Sequence, residues 1–568
     1  SKSEHDPALI QIEQEKIGQT LYAGWGRVPY YIEANCADGW LWVEDVPPYG
    51  EVNLPWPLKC SGESESTLKS GDDCPTEILE GVEGAEEGSS EGYSSENGAS
   101  EKKSSGKFVP EKSAPRTSGG NPLATASGKT LSNGILKVVV DERGMLSISW
   151  THAENKSSDY KVNLSFRDTA DGGDSYNYDP LPHDKPISSK FLSAHVGRKG
   201  PLLASIVLKH EIKIPELLLD DKPSGQGDMM LFKRSTQIKV HEIETEIVLR
   251  RGSRILEFET KFDNQASGHR LEALLSTGLP IHTTFSENHF SLAKRFHQTK
   301  NEQKINLPVD VGCESPCDRY PSQRFVIVNG QVVLNRGLPE YGVDGENLSL
   351  TILRAVGMLS RGRMQSRGGG AGPHLPVPGA NCIGANLVSF AWAPLNIVQK
   401  SRLLTDSISD QNIAEAYDLA EAYEQDIYCS LSALGDTSTG ALFSCENQAI
   451  RFVATYISDD QESLYIRLLN STNEVFTATI RLNCTFHGAQ LCRLDEEADK
   501  ELFLYGDYEK SENSLDEERE VCFMDINFGA NELKTLRLKL KDVEPEKVAR
   551  SAARSRRKKA SKTSGARA

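Results

Sequence analysis

Two short apolar runs, Phe325 to Val328 and Val332 to Leu334, flank the dipeptide Asn329-Gly330. Asn-Gly accepts the positive φ angles of a type I′ turn, whose twist matches two antiparallel strands, so a β-hairpin is expected here. A third run, residues 348–356 with Leu350, Ile352 and Leu353, also reads as strand. Three such strands in succession suggest an antiparallel meander rather than a parallel sheet. Arg354 and Arg361 then close apolar stretches, just before the glycines at 368, 369, 370 and 372. Cations so placed need a reason, and surface charge at strand ends is the plainest one.

The rest of the chain extends this β reading. Ile135, Val138 and Val140 lead into the turn Asp141-Glu142-Arg143-Gly144, and residues 145–150 return as a strand. Residues 191–215 are β with a turn at Gly200-Pro201. Residues 242–262 form a hairpin whose arms alternate apolar and charged positions. Residues 387–398 close the large sheet. Residues 403–424 carry the best helical pattern, with Ile408, Ile413, Ala416, Leu419, Ala420 and Tyr423 near one face. Strands return at 450–456, 464–469, 475–482 and 533–540, with acidic enlarged loops at 495–500 and 508–520. At the N-terminal side, residues 7–15 read as one or two turns of helix, before β-prone aromatic runs at 30–32 and 40–43 and a turn at Pro47-Pro48-Tyr49-Gly50.

Composition bounds the partners. The net charge of −17 over 568 residues gives no global case for nucleic-acid binding. No run of eighteen apolar residues is present, so no membrane span is expected. Residues 61–101 hold twelve acidic residues and one lysine among Ser and Gly. Such a segment buries too little apolar surface to offset its chain entropy, so 61–128 reads as a disordered insertion. The tail from Lys547 has nine basic and no acidic residues, and reads as solvated and disordered or as an anion-binding or import signal. The eleven cysteines are scattered without zinc-ribbon spacing. Cys36, Cys382, Cys429, Cys445, Cys484 and Cys522 lie among apolar residues, where buried free thiols are expected. Sequons stand at Asn155, Asn163, Asn347, Asn470 and Asn483 and lean towards a vacuolar or lysosomal route. The acidic insertion and basic tail lean towards the cytosol. The polar start at Ser1 suggests processing or a longer reading frame.

One loop invites a ligand. Residues 171–180 read DGGDSYNYDP, with no periodicity, two tyrosines, an amide and several carboxylates. Asp, Asn and Tyr on one loop suit hydroxyl-rich sugars. A turn held by Asx hydrogen bonds explains the same residues equally well.

The motifs around the hairpin resemble the C-terminal half of the family 38 glycoside hydrolases, the α-mannosidases, in the branch with mannosylglycerate hydrolases. They are Arg324-Phe325-Val326, residues 335–341 (NRGLPEY), Leu353-Arg354-Ala355-Val356-Gly357, Leu359-Ser360-Arg361, Ala371-Gly372-Pro373 and Pro378-Gly379-Ala380. Asn381-Cys382 stands where the family usually has Gln-Cys. The resemblance implies a mainly β protein: the end of a small β domain (1–60), a large antiparallel super-sandwich of galactose-mutarotase type (129–400), and a helix plus C-terminal β-sandwich (401–545), ahead of a basic tail (546–568). It implies that Tyr176 reaches a bound sugar, with Asp174 and Tyr178 as neighbours, and that Arg354 or Arg361 stands near it. His269 is expected to be structural. The family's retaining chemistry needs two carboxylates about 5–5.5 Å apart, with a zinc ion held in an N-terminal barrel. This sequence has no His-x-Asp and no barrel-like alternation of strands and helices, so neither the zinc ligands nor the catalytic carboxylates are expected within it. An α-mannoside substrate and self-association follow from the same resemblance. The alternatives are a non-catalytic carbohydrate-binding β protein, or an interaction protein using the acidic segment and basic tail.

Overall fold

The computed structural model describes the backbone of residues 10–23, 30–41, 50–51, 123–151, 157–220, 232–297, 314, 317–362, 364–396, 408–425, 440–441, 443–483, 486–510 and 518–540; side chains are described in these stretches outside 10–51, 440–441 and 507–520. The basic tail and most of the acidic segment lie outside them.

Two large antiparallel sheets face each other. The first runs in the order Lys190–Val196, Leu203–Pro215, Ile238–Arg250, Leu256–Asn264, Gly384–Pro394, Gln331–Arg336, Phe325–Val328, Thr283–Asn288 and Ser291–Phe296. The second runs Arg319–Pro321, Glu340–Asp344, Asn347–Ala355, His269–Ser276, Ser157–Ala170, Met145–Thr151, Leu136–Val140, Thr130–Ser132 and Thr125–Ser127, with Ile187–Ser188 beside Ser157–Ala170. Alternation puts every second side chain inward, as in Leu136–Val140, where Leu136, Val138 and Val140 are buried and Lys137 and Val139 exposed. The shared core joins Phe166, Leu271 and Leu350 of one sheet to Ile247, Phe258 and Trp392 of the other. This is the mainly β super-sandwich expected.

The Asn329-Gly330 turn is as read: φ is 47° and 72°, and Val328 pairs with Gln331. The meander is not. Residues 348–356 do not join that hairpin but lie in the opposite sheet, between Glu340–Asp344 and His269–Ser276. Gly337, at φ 72°, turns the chain. Pro339 has no N–H for a ladder, and the strand that follows it crosses to the second sheet.

Other expectations are corrected. Residues 10–15 belong to a strand, Ile10–Ala23, paired with Tyr30–Leu41; their alternation of Ile with polar residues suits period two better than a helix. Residues 125–127, assigned to the insertion, form an edge strand. Much of the acidic stretch read as enlarged loops is strand: Ala498–Leu502, Tyr505–Lys510 and Glu518–Phe528. Cys382 is exposed rather than buried, because it caps the 3-10 turn Pro378–Asn381 in a left-handed conformation. Cys522 is buried as expected. The sequon residue Asn470 is fully buried, its amide donating to the carbonyls of Glu474 and Gly529.

Helix Asp410–Glu424 starts where the Ser409 hydroxyl accepts from the Asn412 N–H. Residues 403–407 of the expected helix lie outside the described residues. Its Ile413, Ala416, Tyr417 and Ala420 cover Ile327, Val332, Ala391 and Ala393 on the outer face of the first sheet. Arg451 of the C-terminal sandwich reaches back to the helix, pairing with Asp418 and donating to the Ala414 carbonyl. That sandwich packs a four-stranded on a five-stranded sheet around Ile466, Ile480, Met524 and Leu536.

Candidate functional site

Strand Ser157–Ala170 ends in the loop 171–180, and strand Asn347–Ala355 ends in a second loop that runs to the 3-10 turn at Pro378. Their strands flank His269–Ser276, so the two loops leave the same end of the second sheet. They interlock through ion pairs. Arg354 donates from Nε to Asp171 Oδ2 at 2.8 Å and from Nη2 to the carbonyls of Asp174 and Asn177 at 3.1 and 3.0 Å. Arg367 donates from Nη2 to Asp174 Oδ2 at 2.5 Å, and also bonds Asn177 Oδ1 and the Gly369 carbonyl. Asp179 accepts from the N–H groups of Gln365 and Ser366.

Asp174 is the hub. It is fully buried. Its Oδ1 accepts from the N–H groups of Tyr176 and Asn177, and its Oδ2 from the N–H of Arg361 at 2.8 Å. Burial works against its charge, but the Arg367 guanidinium and these amides hold its carboxyl below the usual aspartate range. Asp179 goes the other way, because burial outweighs its two amide bonds and pushes it up.

The residues singled out in the sequence therefore separate. Tyr176 is 55% exposed, with its hydroxyl over Gly372, where an added Cβ would stand 3.3 Å from it. Arg361 donates from Nε to the Gly173 carbonyl at 2.7 Å, its guanidinium lies 4.8 Å from the Phe232 ring centre, and Nη1 and Nη2 make no hydrogen bond among the described residues. Asp174 does not face outward: both its oxygens are spent on holding the loops. Tyr178 also points in, its ring 4.5 Å from the Arg270 guanidinium and its hydroxyl donating to Thr169 Oγ1. Arg354 is consumed by the loop, which separates it from Arg361. The Asx turns weighed against a ligand loop are indeed present, at Asp171 and Asp174.

His269 is structural. It is 1% exposed, with Nδ1 2.7 Å from Asp168 Oδ1 and Nε2 3.1 Å from Asn264 Oδ1. Arg234 pairs with both Asp168 and Asp184 beneath the loop. Sequence reasoning missed Arg234, Phe232 and Arg367. Arg367 had a signal, being an arginine directly before the glycine run; Phe232 and Arg234 sit in a short segment with no periodicity.

The loop offers binding chemistry. Asp171, Asp174 and Asp179 are all buried and engaged, so none is placed as a nucleophile or proton donor for a solvent-side ligand. Among the described residues no group of three or more His, Cys, Asp or Glu is arranged to hold a metal. The zinc implied by the resemblance is not matched by a ligand set among the described residues.

Residues 131–358 match the model of the glycosyl hydrolases family 38 C-terminal domain. This stretch is a glycoside hydrolase family 38 C-terminal domain. Both interlocking loops begin inside it. The chain is similar to a putative mannosylglycerate hydrolase of Halalkalibacterium halodurans, 21% identical over 284 residues, covering 48% of this chain and 29% of the relative. Its fold is similar to that of an α-mannosidase from Enterococcus faecalis V583 (TM-score 0.55, 18% identity) and of a family 38 protein from the same species (TM-score 0.54, 18% identity). Each likeness covers 73% of this chain, but 43% and 44% of those chains. The chain thus spans less than half the length of the family 38 proteins it matches.

Proposed function

We propose that this chain is the C-terminal β portion of a retaining, zinc-dependent α-mannosidase and that it lends one wall to the sugar pocket. The hydrolytic carboxylates and the metal ligands would come from a part of the protein outside these 568 residues. The observation that carries the reading is the hub carboxylate. Tyr176 and Arg361 hang by their backbone N–H groups from the two oxygens of Asp174, one on each, and among the described residues the Tyr176 hydroxyl and the Arg361 Nη atoms have no hydrogen bond. A half-exposed phenol and a guanidinium stacked on Phe232, both mounted on one carboxylate, suit the hydroxyls of a pyranose. Asp174, Arg354, Arg367 and Tyr178 act as positioning residues. The substrate is an α-mannoside, either glycan mannose or a small glycoside of the mannosylglycerate type.

The test is steady-state hydrolysis of 4-nitrophenyl α-mannoside and of mannosylglycerate by the intact protein, with and without a zinc chelator. Tyr176→Ala should lower kcat/KM by roughly tenfold to a hundredfold, the scale of one or two lost hydrogen bonds to substrate, with an unchanged melting temperature because the side chain is exposed. Hydrolysis unaffected by Tyr176→Ala and Arg361→Met together would overturn the pocket wall. An intact protein that binds mannosides but never cleaves them would overturn the enzyme.

A further inference from the structure

The four-stranded sheet of the C-terminal sandwich turns an aromatic face outward. Tyr505 is the direct cross-strand partner of Phe523, and their rings lie 5.7 Å apart and 17° from parallel. Phe503 adds a third ring, 6.4 Å from Tyr505 and 21° from parallel. Phe503 is 81% exposed and Tyr505 38%. Met524, Ile526 and Phe528 of the same strand point into the core, so Phe523, Asp525 and Asn527 share the outer face. Register places Thr479 opposite Asp525, Thr477 opposite Asn527 and Arg481 opposite Phe523. Asp525 Oδ1 accepts from the Tyr505 hydroxyl at 3.0 Å and from Thr479 Oγ1 at 2.6 Å, which fixes the polar rim against the rings.

An aromatic ladder of this kind stabilises an edge strand whether or not its rings are wet. That account covers Tyr505 and Phe523 but not Phe503, which precedes the strand and gains little by folding where it does. An exposed run of near-parallel rings bordered by hydroxyl, amide and carboxylate groups is complementary to a ligand with the same division, an apolar C–H face and a hydroxyl edge. Among the described side chains the charged groups on this face are Asp525 and Arg481, with no cluster of basic groups to select a nucleic acid. We propose that this face is a second saccharide-binding surface, taking a neutral glycan chain by stacking on Phe503 and Tyr505 and by hydrogen bonds to Asp525 and Asn527, apart from the Tyr176 loop. It would hold a polymeric or branched glycan while the other site handles one sugar.

The experiment is native affinity electrophoresis of the 568-residue chain through gels containing α-mannan, galactan or β-glucan, with serum albumin as the non-binding reference. Retardation by at least one glycan is expected. It should weaken about tenfold or more, the scale of one aromatic anchor, in Phe503→Ala and in Phe503→Ala/Tyr505→Ala, and persist in Tyr176→Ala. Phe503→Ala guards against misfolding, since so exposed a side chain contributes little to stability. No retardation by any of the three glycans overturns the proposal, and so does retardation that depends on Tyr176 alone. Light scattering supplies a further check: a dimer of the chain that separates in the double variant would assign the face to a second copy instead. Failure on any of these counts leaves the hydrolysis reading standing, because that reading is judged on Tyr176 in the intact protein.

Discussion

Replacing Arg367 by methionine keeps most of the side-chain volume and strips the charge from a pair in which Asp174 is fully buried and the arginine side chain is 5% exposed. Breaking a buried ion pair from one side leaves the other charge uncompensated, at about 3–5 kcal/mol. The cost should fall first on the loops, because the amides of Tyr176, Asn177 and Arg361 all donate to Asp174. Hydrogen exchange read at these amides should therefore accelerate by roughly two to four powers of ten, at 1.4 kcal/mol for each, while core amides such as those of 247 or 271 stay protected. Asp174→Asn removes the charge but keeps one carbonyl oxygen for the Tyr176 and Asn177 amides. In that background Arg367→Met should cost much less, and the difference is the coupling energy of the pair. Acceleration below about tenfold, or an equal effect of Arg367→Met in both backgrounds, would refute the hub argument.

Two further outcomes are expected. His210 is 2% exposed between the rings of Phe166 and Phe191, and burial lowers its pKa from 6.5 to about 4. A lowered value means that the unfolded chain takes up the proton first, so stability is whole above pH 6.5 and is lost as pH falls towards 4, by about 3 kcal/mol at 1.4 kcal/mol per unit; urea unfolding at pH 7 and pH 4.5 should show that loss, and His210→Phe should reduce it. Gly173→Ala would place a Cβ 2.0 Å from the Asn177 carbonyl, so the loop must rebuild and the Tyr176 amide should lose its protection, whereas Gly379→Ala, with nothing within 4 Å of its added carbon, should be silent in the same exchange experiment.

Local chemistry was legible in the sequence, and pairing at a distance was not. The Asn329-Gly330 turn, the hairpin arms around Arg250 and Leu256, and the irregular loop at 171–180 all follow from residues within a few positions of one another. The sheet that residues 348–356 join does not, because a strand's alternation says which side is buried but not what it pairs with; the crossover was decided by Gly337 and Pro339. At the candidate site, the resemblance named Tyr176 and Arg361 together with Asp174, Tyr178 and Arg354. Sorting them from Asp174, Tyr178 and Arg354 needed burial, which depends on contacts more than 180 positions apart, such as that between Asp171 and Arg354. Arg367 carried a local signal in its place before the glycine run, but its role too rests on a distant contact, with Asp174.

Arg354 and Arg361 grip the first loop largely by its main chain: the carbonyls of Gly173, Asp174 and Asn177 carry three of their side-chain bonds. A socket built from peptide oxygens is indifferent to most of what is displayed on its rim. Position 176 can then change its side chain by single substitutions without loosening the mount that aims it. On the proposed reading, position 176 is where sugar preference would be altered at least cost to the fold, while at Asp174 almost any change is felt by both loops at once.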